Sequence, residues 1–474
     1  MKIAVVGGGM LGLTLAYRLA QRQHQVTIFE SAEEIGGLAA PANYGEFRWD
    51  RFYHCILPQD RSLLSLIADI GLQSEIRWKT TKTGYFARGR FYDMSSTTDF
   101  LRFPLLSFID KGRLGLLIQY ARWLANPQEL YGITAQDWLI RWCGRRAYQR
   151  FWQPLLKSKF GSLHDQIAAT FIWATVTRLF GARQGGSKRE QLGYVRGGYR
   201  RILAVLETKL RELDVRVLLS ARVDRIETAR QRDGTELGKV SYESMTSSPT
   251  EHKQGYFDQV FFTGPTPLAR TIVSVDSTTH VEQMLRDYPT SSAYLGIACT
   301  ILVLAKSLMP YYVLNIGDDP SAITGVVEMT NLVDRYEECN GRSLVYIPRY
   351  AASGDKILDD SDDEVFENVL KMGLRPIFSQ INELEIVGRF VHRARFVQAL
   401  PLAGDRVEPS VKLPRLASPF QILNSSMLQC ATLNNNEIVN LVDAYLEVHG
   451  ESLNAAGSKV TDAHSSRELS DVIG

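Results

Sequence analysis

The first thirty residues constrain the fold more tightly than any other stretch. Residues 3–6 form a short apolar run, and "VVGGGMLG" interrupts it with Gly7, Gly9 and Gly12. Leu11, Leu15, Arg18 and Leu19 then follow a helical period. Residues 26–29 make a second apolar run, which ends in Glu30. Fully apolar, partly β-branched runs suit buried parallel strands, so the unit reads strand, helix, strand. Gly7 permits the tight turn, Gly9 lets the backbone approach a pyrophosphate, and Gly12 lets the helix pack close on the strand. The helix N-terminus attracts the anion. Glu30 is placed to accept hydrogen bonds from ribose hydroxyls. A bound dinucleotide is therefore predicted. Gln23 stands where a glycine commonly closes such a helix in the left-handed region, at a cost of about 1 kcal/mol.

Composition removes several function classes. The chain has 474 residues, 45% of them hydrophobic, enough for two or three domains with cores of their own. Its formal net charge is +2, so a nucleic acid partner is not expected. Cys55, Cys143, Cys299, Cys339 and Cys430 are scattered, with no zinc-like spacing. They predict reduced thiols, no metal site and a cytoplasmic setting. Glycines break the opening apolar run and no small-residue cleavage site follows, so a secretory leader is not expected. No segment approaches the roughly 18 uninterrupted apolar residues of a membrane span.

Six residues after Glu30, "EEIGGLA" supplies Gly36 and Gly37. With this pair the sequence resembles the flavoprotein family of amine oxidases, protoporphyrinogen oxidases and phytoene desaturases. The resemblance implies that the dinucleotide is FAD and that the pair approaches its second phosphate region. "QLGYVRGGYRRIL" resembles the family's glycine segment that opens a helix near the flavin. "VRVLLSARVDRIE" resembles its strand pair, which implies that Val223 meets the adenine through its backbone. "YFDQVFFTGPTPLA" resembles its strand into a proline turn. The closing "FQILNSSMLQCATLNNNEIVNLVDAYLE" is similar to the subgroup with an asparagine after the last strand. That implies Asn424 near the flavin and Asn436 capping a helix aimed at it, with Leu433 and Asn434 departing from the subgroup's loop pattern.

The fold class expected is α/β plus α+β, a Rossmann-like FAD-binding domain with an antiparallel-sheet substrate domain and a helical insertion. Residues 1–90, 190–270 and 416–450 are assigned to the FAD-binding domain. Residues 91–189 carry helical patterns rich in aromatics and form the insertion. Residues 271–415 carry the strand runs of the substrate domain. Residues 229–255 read as a long hairpin loop, and 451–474 lack periodicity and read as a frayed tail.

The chemistry-bearing candidates lie elsewhere. "FRWDRFYHCILPQD" resembles a segment of UDP-galactopyranose mutase in which a histidine lies beside the flavin, and His54 and Asp60 fall on its histidine and aspartate. His54 is either that histidine or a hydrogen-bonded core residue. Asp50 reads as a partner for a local backbone amide. Glu328, Asn331, Tyr346 and Tyr350 are polar residues in apolar strands, which line a cavity if they face inward. His54, Glu328 and Tyr346 are thus the catalytic candidates. Lys157 and Lys159 either hold an anionic group or are solvated, and the same choice applies to Arg141, Arg145, Arg146 and Arg150. "FLRFPLLSFIDKGRLGLLI" reads as buried core, with peripheral membrane contact as the alternative. The function expected is FAD-dependent oxidation of a small, apolar or cyclic substrate by hydride transfer. The alternatives are a flavin-dependent sugar-nucleotide mutase and a non-catalytic binding protein of the same fold, as in the Rab GDP-dissociation inhibitors.

Overall fold

The computed structural model describes residues 1–124, 127–181, 190–245, 251–273, 294–318, 323–382, 385–404, 419–428, 432 and 434–468. Its first sheet has five parallel strands in the order Phe420–Ile422, Gln259–Phe262, Lys2–Val6, Gln25–Phe29, Arg216–Leu218. The first strand is central, which is why Ile3, Ala4 and Val5 are fully buried. Helices Met10–Gln21, Gly198–Glu212 and Asn435–Glu468 cover one face, where Leu13, Leu15, Leu206, Val439 and Val442 share a core. Gln23 does take the left-handed region, at φ 67°.

A three-stranded antiparallel sheet covers the other face: Ala221–Arg230, Glu236–Ser244 and Glu251–Phe257. This corrects the hairpin loop expected over 229–255. Val240 is buried opposite Ile226, in one core with Val6 and Phe29. Lysines and glutamates on the outward positions had diluted the alternation.

The second sheet has seven strands, ordered Ile386–Ala399, Tyr294–Leu304, Ser343–Ala352, Gly325–Glu328, Val313–Ile316, Thr83–Ala87, Arg90–Asp93. Its neighbours are antiparallel except for Val313–Ile316 against Thr83–Ala87. Those last two strands come from the N-terminal segment, so the boundary assigned at residue 90 falls inside this sheet rather than at its edge. Tyr294–Leu304 is buried along its whole length, being paired on both sides.

Helices Phe108–Trp123, Ala135–Cys143, Gln153–Phe160 and Ala169–Gly181 form the insertion around Leu114, Leu117, Trp138, Leu139 and Ile172. Ser107 and Asp110 make a capping box at the first, and Thr134 caps the second. The last helix runs through Glu468, which corrects the tail expected from residue 451. Leu446 and Leu453, seven residues apart, keep it on the core. Residues 469–474 of that expectation lie outside the described residues. No helix among the described residues is long and apolar enough to cross a membrane.

Candidate active site

The glycine loop is built by close approach. Gly7 has φ +115° and donates its N–H to the Phe29 carbonyl at 2.8 Å. A Cβ on Gly12 would lie 2.0 Å from the Gly7 carbonyl oxygen, so no side chain fits between helix and strand. Gly36, at φ +120°, donates to the Gly8 carbonyl at 2.8 Å and brings Gly37 against Gly9. A Cβ on Gly9 would meet nothing nearer than Gly37 Cα, 4.0 Å away, so its outer face is open. The helix Met10–Gln21 has no side-chain cap and no acidic residue in its first turn. Its N–H groups therefore face a space suited to an anion. Glu30 Oε2 accepts the Gly8 N–H at 2.6 Å, and Oε1 accepts that of Ala32 at 2.8 Å. The carboxylate thus fixes the loop and still borders the cavity.

That cavity has a volume of about 1610 Å³. Gly7, Gly9, Gly12, Glu30, Gly36, Gly37 and Val223 line one end of it. The other end is lined by Phe52, Tyr53, His54, Phe151, Phe160, Phe171 and Tyr350. Single-ligand pockets commonly reach about 300–1,000 Å³, so this one has room for a dinucleotide and a second molecule. Glu30 and Asp224 are the carboxylates among the described lining residues, and both lie at the glycine end.

At the aromatic end, His54 Nδ1 lies 3.6 Å from Asp50 Oδ2, and its ring packs 4.7 Å from Tyr199. Asp50 Oδ1 accepts the Tyr199 N–H at 2.9 Å; it is a backbone-amide partner as expected, but of an amide 149 residues away rather than a local one. The Tyr53 and Tyr350 hydroxyls are 2.9 Å apart, and burial pushes both phenols up. Asp60, buried, accepts the Leu57 N–H and pairs with Arg178 at 3.2 Å. Arg178, Tyr53 and Thr263 also line the cavity; Tyr53 and Thr263 fall inside segments that the sequence marked without singling them out, and no motif marked Arg178.

Several sequence candidates do not reach the cavity. Glu328 is 1% exposed, and its Oε2 accepts the N–H groups of Leu308 and Met309. Its Oε1 accepts the Ser343 hydroxyl at 2.6 Å. Burial pushes this carboxyl up while those bonds hold it down, the signature of a strut between loop and strand. Tyr346 is fully buried and donates to the Asp50 carbonyl. Asn331 ties down the Met309 and Tyr311 carbonyls. Glu328, Tyr346 and Asn331, the last on a 3-10 turn after the strand rather than on it, therefore face protein, and Tyr350 alone of the four borders the cavity.

Asn424 is buried and closes its own turn. It donates to the Gly264 carbonyl at 2.9 Å and accepts the Ser426 N–H at 3.0 Å. Asn436 does not cap its own helix. Its Oδ1 accepts the N–H groups of Ser62 and Leu63, capping the helix Arg61–Asp69. The Asn435–Glu468 helix is capped instead by Asn434, whose Oδ1 accepts the Glu437 N–H at 3.0 Å. Asn436 lies inside that first turn, where a side chain points outward to a neighbour. Leu433 lies outside the described residues. Lys157, Arg141, Arg145, Arg146 and Arg150 are exposed, and none of them borders the cavity.

The segment "FLRFPLLSFIDKGRLGLLI" and the residues that follow it divide. Phe103, Leu105, Leu106, Leu114 and Leu117 are buried, as expected of core. Leu101, Phe108, Ile109, Leu116 and Trp123 are exposed, with Phe108 at 83%, which corrects a wholly buried reading.

A model of the family described as flavin-containing amine oxidoreductase matches residues 11–387. The chain belongs to that family. FAD is the cofactor that membership carries, and the open-faced Gly9, the uncapped helix and Glu30 form a cradle that fits it. Over 50 residues the chain is 50% identical to 4,4'-diapophytoene desaturase of Staphylococcus haemolyticus, covering 10% of either chain. Over 137 residues it is 32% identical to protoporphyrinogen oxidase 2 of Arabidopsis thaliana, covering 29% of this chain and 27% of that one. The matches span about half or less of the length of such curated relatives. An oxidoreductase from Methanosarcina mazei superposes with TM-score 0.71 at 18% identity, covering 94% of this chain and 100% of that one. Reduced UDP-galactopyranose mutase superposes with TM-score 0.67 at 15% identity, covering 95% and 94%. At these identities the structural likeness is one of fold.

Proposed function

We propose that this protein is an FAD-dependent oxidoreductase acting on an apolar, ring-containing or extended small molecule held in the aromatic end of the cavity. The observation that carries this reading is one continuous cavity joining the glycine cradle to an aromatic chamber. Bound FAD would supply the hydride acceptor. The chain supplies position and dryness: Phe151, Phe160 and Phe171 exclude water, while Tyr53 and Tyr350 present a hydroxyl pair. Val223 is the proposed neighbour of the adenine, and His54 the proposed neighbour of the reacting ring. Free thiols at Cys55, Cys143, Cys299 and Cys339 support a cytoplasmic setting.

Peripheral contact with an anionic membrane is part of the proposal. Leu101, Phe108, Ile109, Leu116 and Trp123 are exposed together with Arg102, Arg113 and Arg122. Leu101, Gly115, Ile118 and Arg122 also border the cavity, so an apolar substrate would enter from that side.

The test is the visible spectrum of the purified protein, followed by anaerobic reduction with a panel of amines, porphyrinogens, polyenes and UDP-sugars. A yellow protein bleached by an apolar compound is expected. A colourless protein that cannot be reconstituted with FAD would favour the binding-protein reading. Turnover of a UDP-sugar by reduced protein alone would favour the mutase, which the exposed positions of Arg141, Arg145, Arg146 and Arg150 disfavour.

A further inference from the structure

Lys159 is the residue that the proposed oxidation leaves without a task. It lies in the last turn of the helix Gln153–Phe160 and borders the aromatic chamber. Its Nζ lies 4.8 Å from the Phe171 ring centroid, 5.4 Å from Tyr350 and 5.5 Å from Phe160. Three ring faces attract a cation but offer its three N–H groups no acceptor in a hydrogen-bond plane. No carboxylate pairs with it among the described residues, and the cavity's carboxylates, Glu30 and Asp224, lie at the glycine end. The neighbouring cations are already engaged or outside. Arg178 is paired with Asp60, Lys111 donates to the Leu101 carbonyl at 2.7 Å, and Arg122 is exposed. Burial lowers the Lys159 ammonium to about 8, with no charged neighbour opposing it. It remains largely protonated at neutral pH.

A positive charge kept in an apolar chamber without a partner is costly unless a ligand supplies the partner. We propose that Lys159 is a specificity residue that receives a carboxylate on an otherwise apolar substrate, its donors pairing with the carboxylate while the three rings pack against the ligand's carbon frame. The Tyr53–Tyr350 hydroxyl pair stands beside it, so the anionic group would be anchored next to the segment carrying His54. The inference deepens the oxidoreductase reading and rests on it only for the term substrate.

The probe is 2-naphthoate against its uncharged counterpart 2-naphthamide, titrated calorimetrically into protein saturated with FAD. The native protein is expected to bind the carboxylate about tenfold more tightly than the amide, the margin of a charge-assisted hydrogen bond. Lys159→Gln should bring that ratio near one, and Lys159→Arg should keep most of it. Equal affinities in the native protein, no measurable naphthoate binding, or a preference that survives Lys159→Gln would each overturn the proposal. Melting curves confirm that the variants fold, and the arginine variant carries the comparison if the glutamine variant does not. Heat is read independently of colour. A protein that takes up no FAD yet keeps the preference would sink the redox reading and leave the anion site standing.

Discussion

The two ends of the cavity are built from different parts of the chain's chemistry. At the glycine end the walls are backbone. Gly7, Gly9, Gly12, Gly36 and Gly37 present amides and empty space, and one carboxylate, Glu30, holds the loop. At the aromatic end the walls are side chains from segments far apart in sequence: Tyr53, Lys159, Phe171 and Tyr350. Gly7, Gly12 and Gly36 tolerate almost no substitution because a Cβ there has nowhere to go, while Gly9 keeps the open space a ligand needs. A side-chain wall tolerates many substitutions and changes what it recognises with each. The first end therefore defines a cofactor class, and the second is where relatives of one fold diverge in substrate.

If that contrast holds, the largest effect comes from the smallest added group. Gly12→Ala places a methyl 2.0 Å from the Gly7 carbonyl oxygen, which only a separation of helix and strand can relieve. A loss of about 3 kcal/mol or more is expected. Bound flavin per protein, measured after gel filtration, should fall on the order of tenfold, in proportion to the misplaced cradle. Full flavin retention with an unchanged melting temperature would break the comparison at its stronger side.

Lys159→Met tests the other end, with the opposite sign. Burial lowers the folded ammonium to about 8 from its ordinary 10.5. Between those two values the unfolded chain binds more protons than the folded one, so stability rises with pH across that window. Below about 8 the native protein carries the full cost, of about 3 kcal/mol less whatever the three rings return. The methionine variant should therefore melt higher than the native protein at pH 7, and that advantage should shrink toward pH 10.5. Equal melting temperatures at pH 7 would mean that the lysine already has a partner.

The smallest effect concerns the exposed face beside the aromatic end. Phe108 is 83% exposed, so Phe108→Ser should leave stability within about 0.5 kcal/mol. Sedimentation with phosphatidylserine-containing vesicles should weaken by roughly tenfold if the ring inserts. Failure of the native protein to sediment would remove the membrane from the proposal.

The same contrast explains what could be read in advance. The strand–helix–strand unit was legible because its geometry is local: Gly12 meets the Gly7 carbonyl and Gly7 bonds the adjacent strand at Phe29, while the paired glycines were legible through a resemblance. The seven-stranded sheet was legible as strands but not as a sheet, since Thr83–Ala87 joins it through a parallel pairing with Val313–Ile316 that no local pattern records. Glu328 illustrates the limit for sites. Alternation marked it as a polar residue in an apolar strand, and only the folded chain shows the Leu308 and Met309 amides that consume it. Asn436 was read as a helix cap and is one, for a helix nearly four hundred residues earlier in the chain, at Ser62, 374 positions away. Arg178 and Tyr53 matter through Asp60 and Tyr350, partners that spacing does not reveal.

The pairing of Thr83–Ala87 with Val313–Ile316 also bears on whether this molecule can be taken apart. Deleting the first 93 residues would not liberate the seven-stranded sheet as a unit of its own. It would strip two strands from the sheet and leave Val313–Ile316 as a raw border, a row of unsatisfied amides and carbonyls inviting another chain to add itself. A chimera that grafts the remainder of this seven-stranded sheet onto a foreign nucleotide-binding half would inherit that border as well. The gene has no clean seam at the place where its chemistry divides.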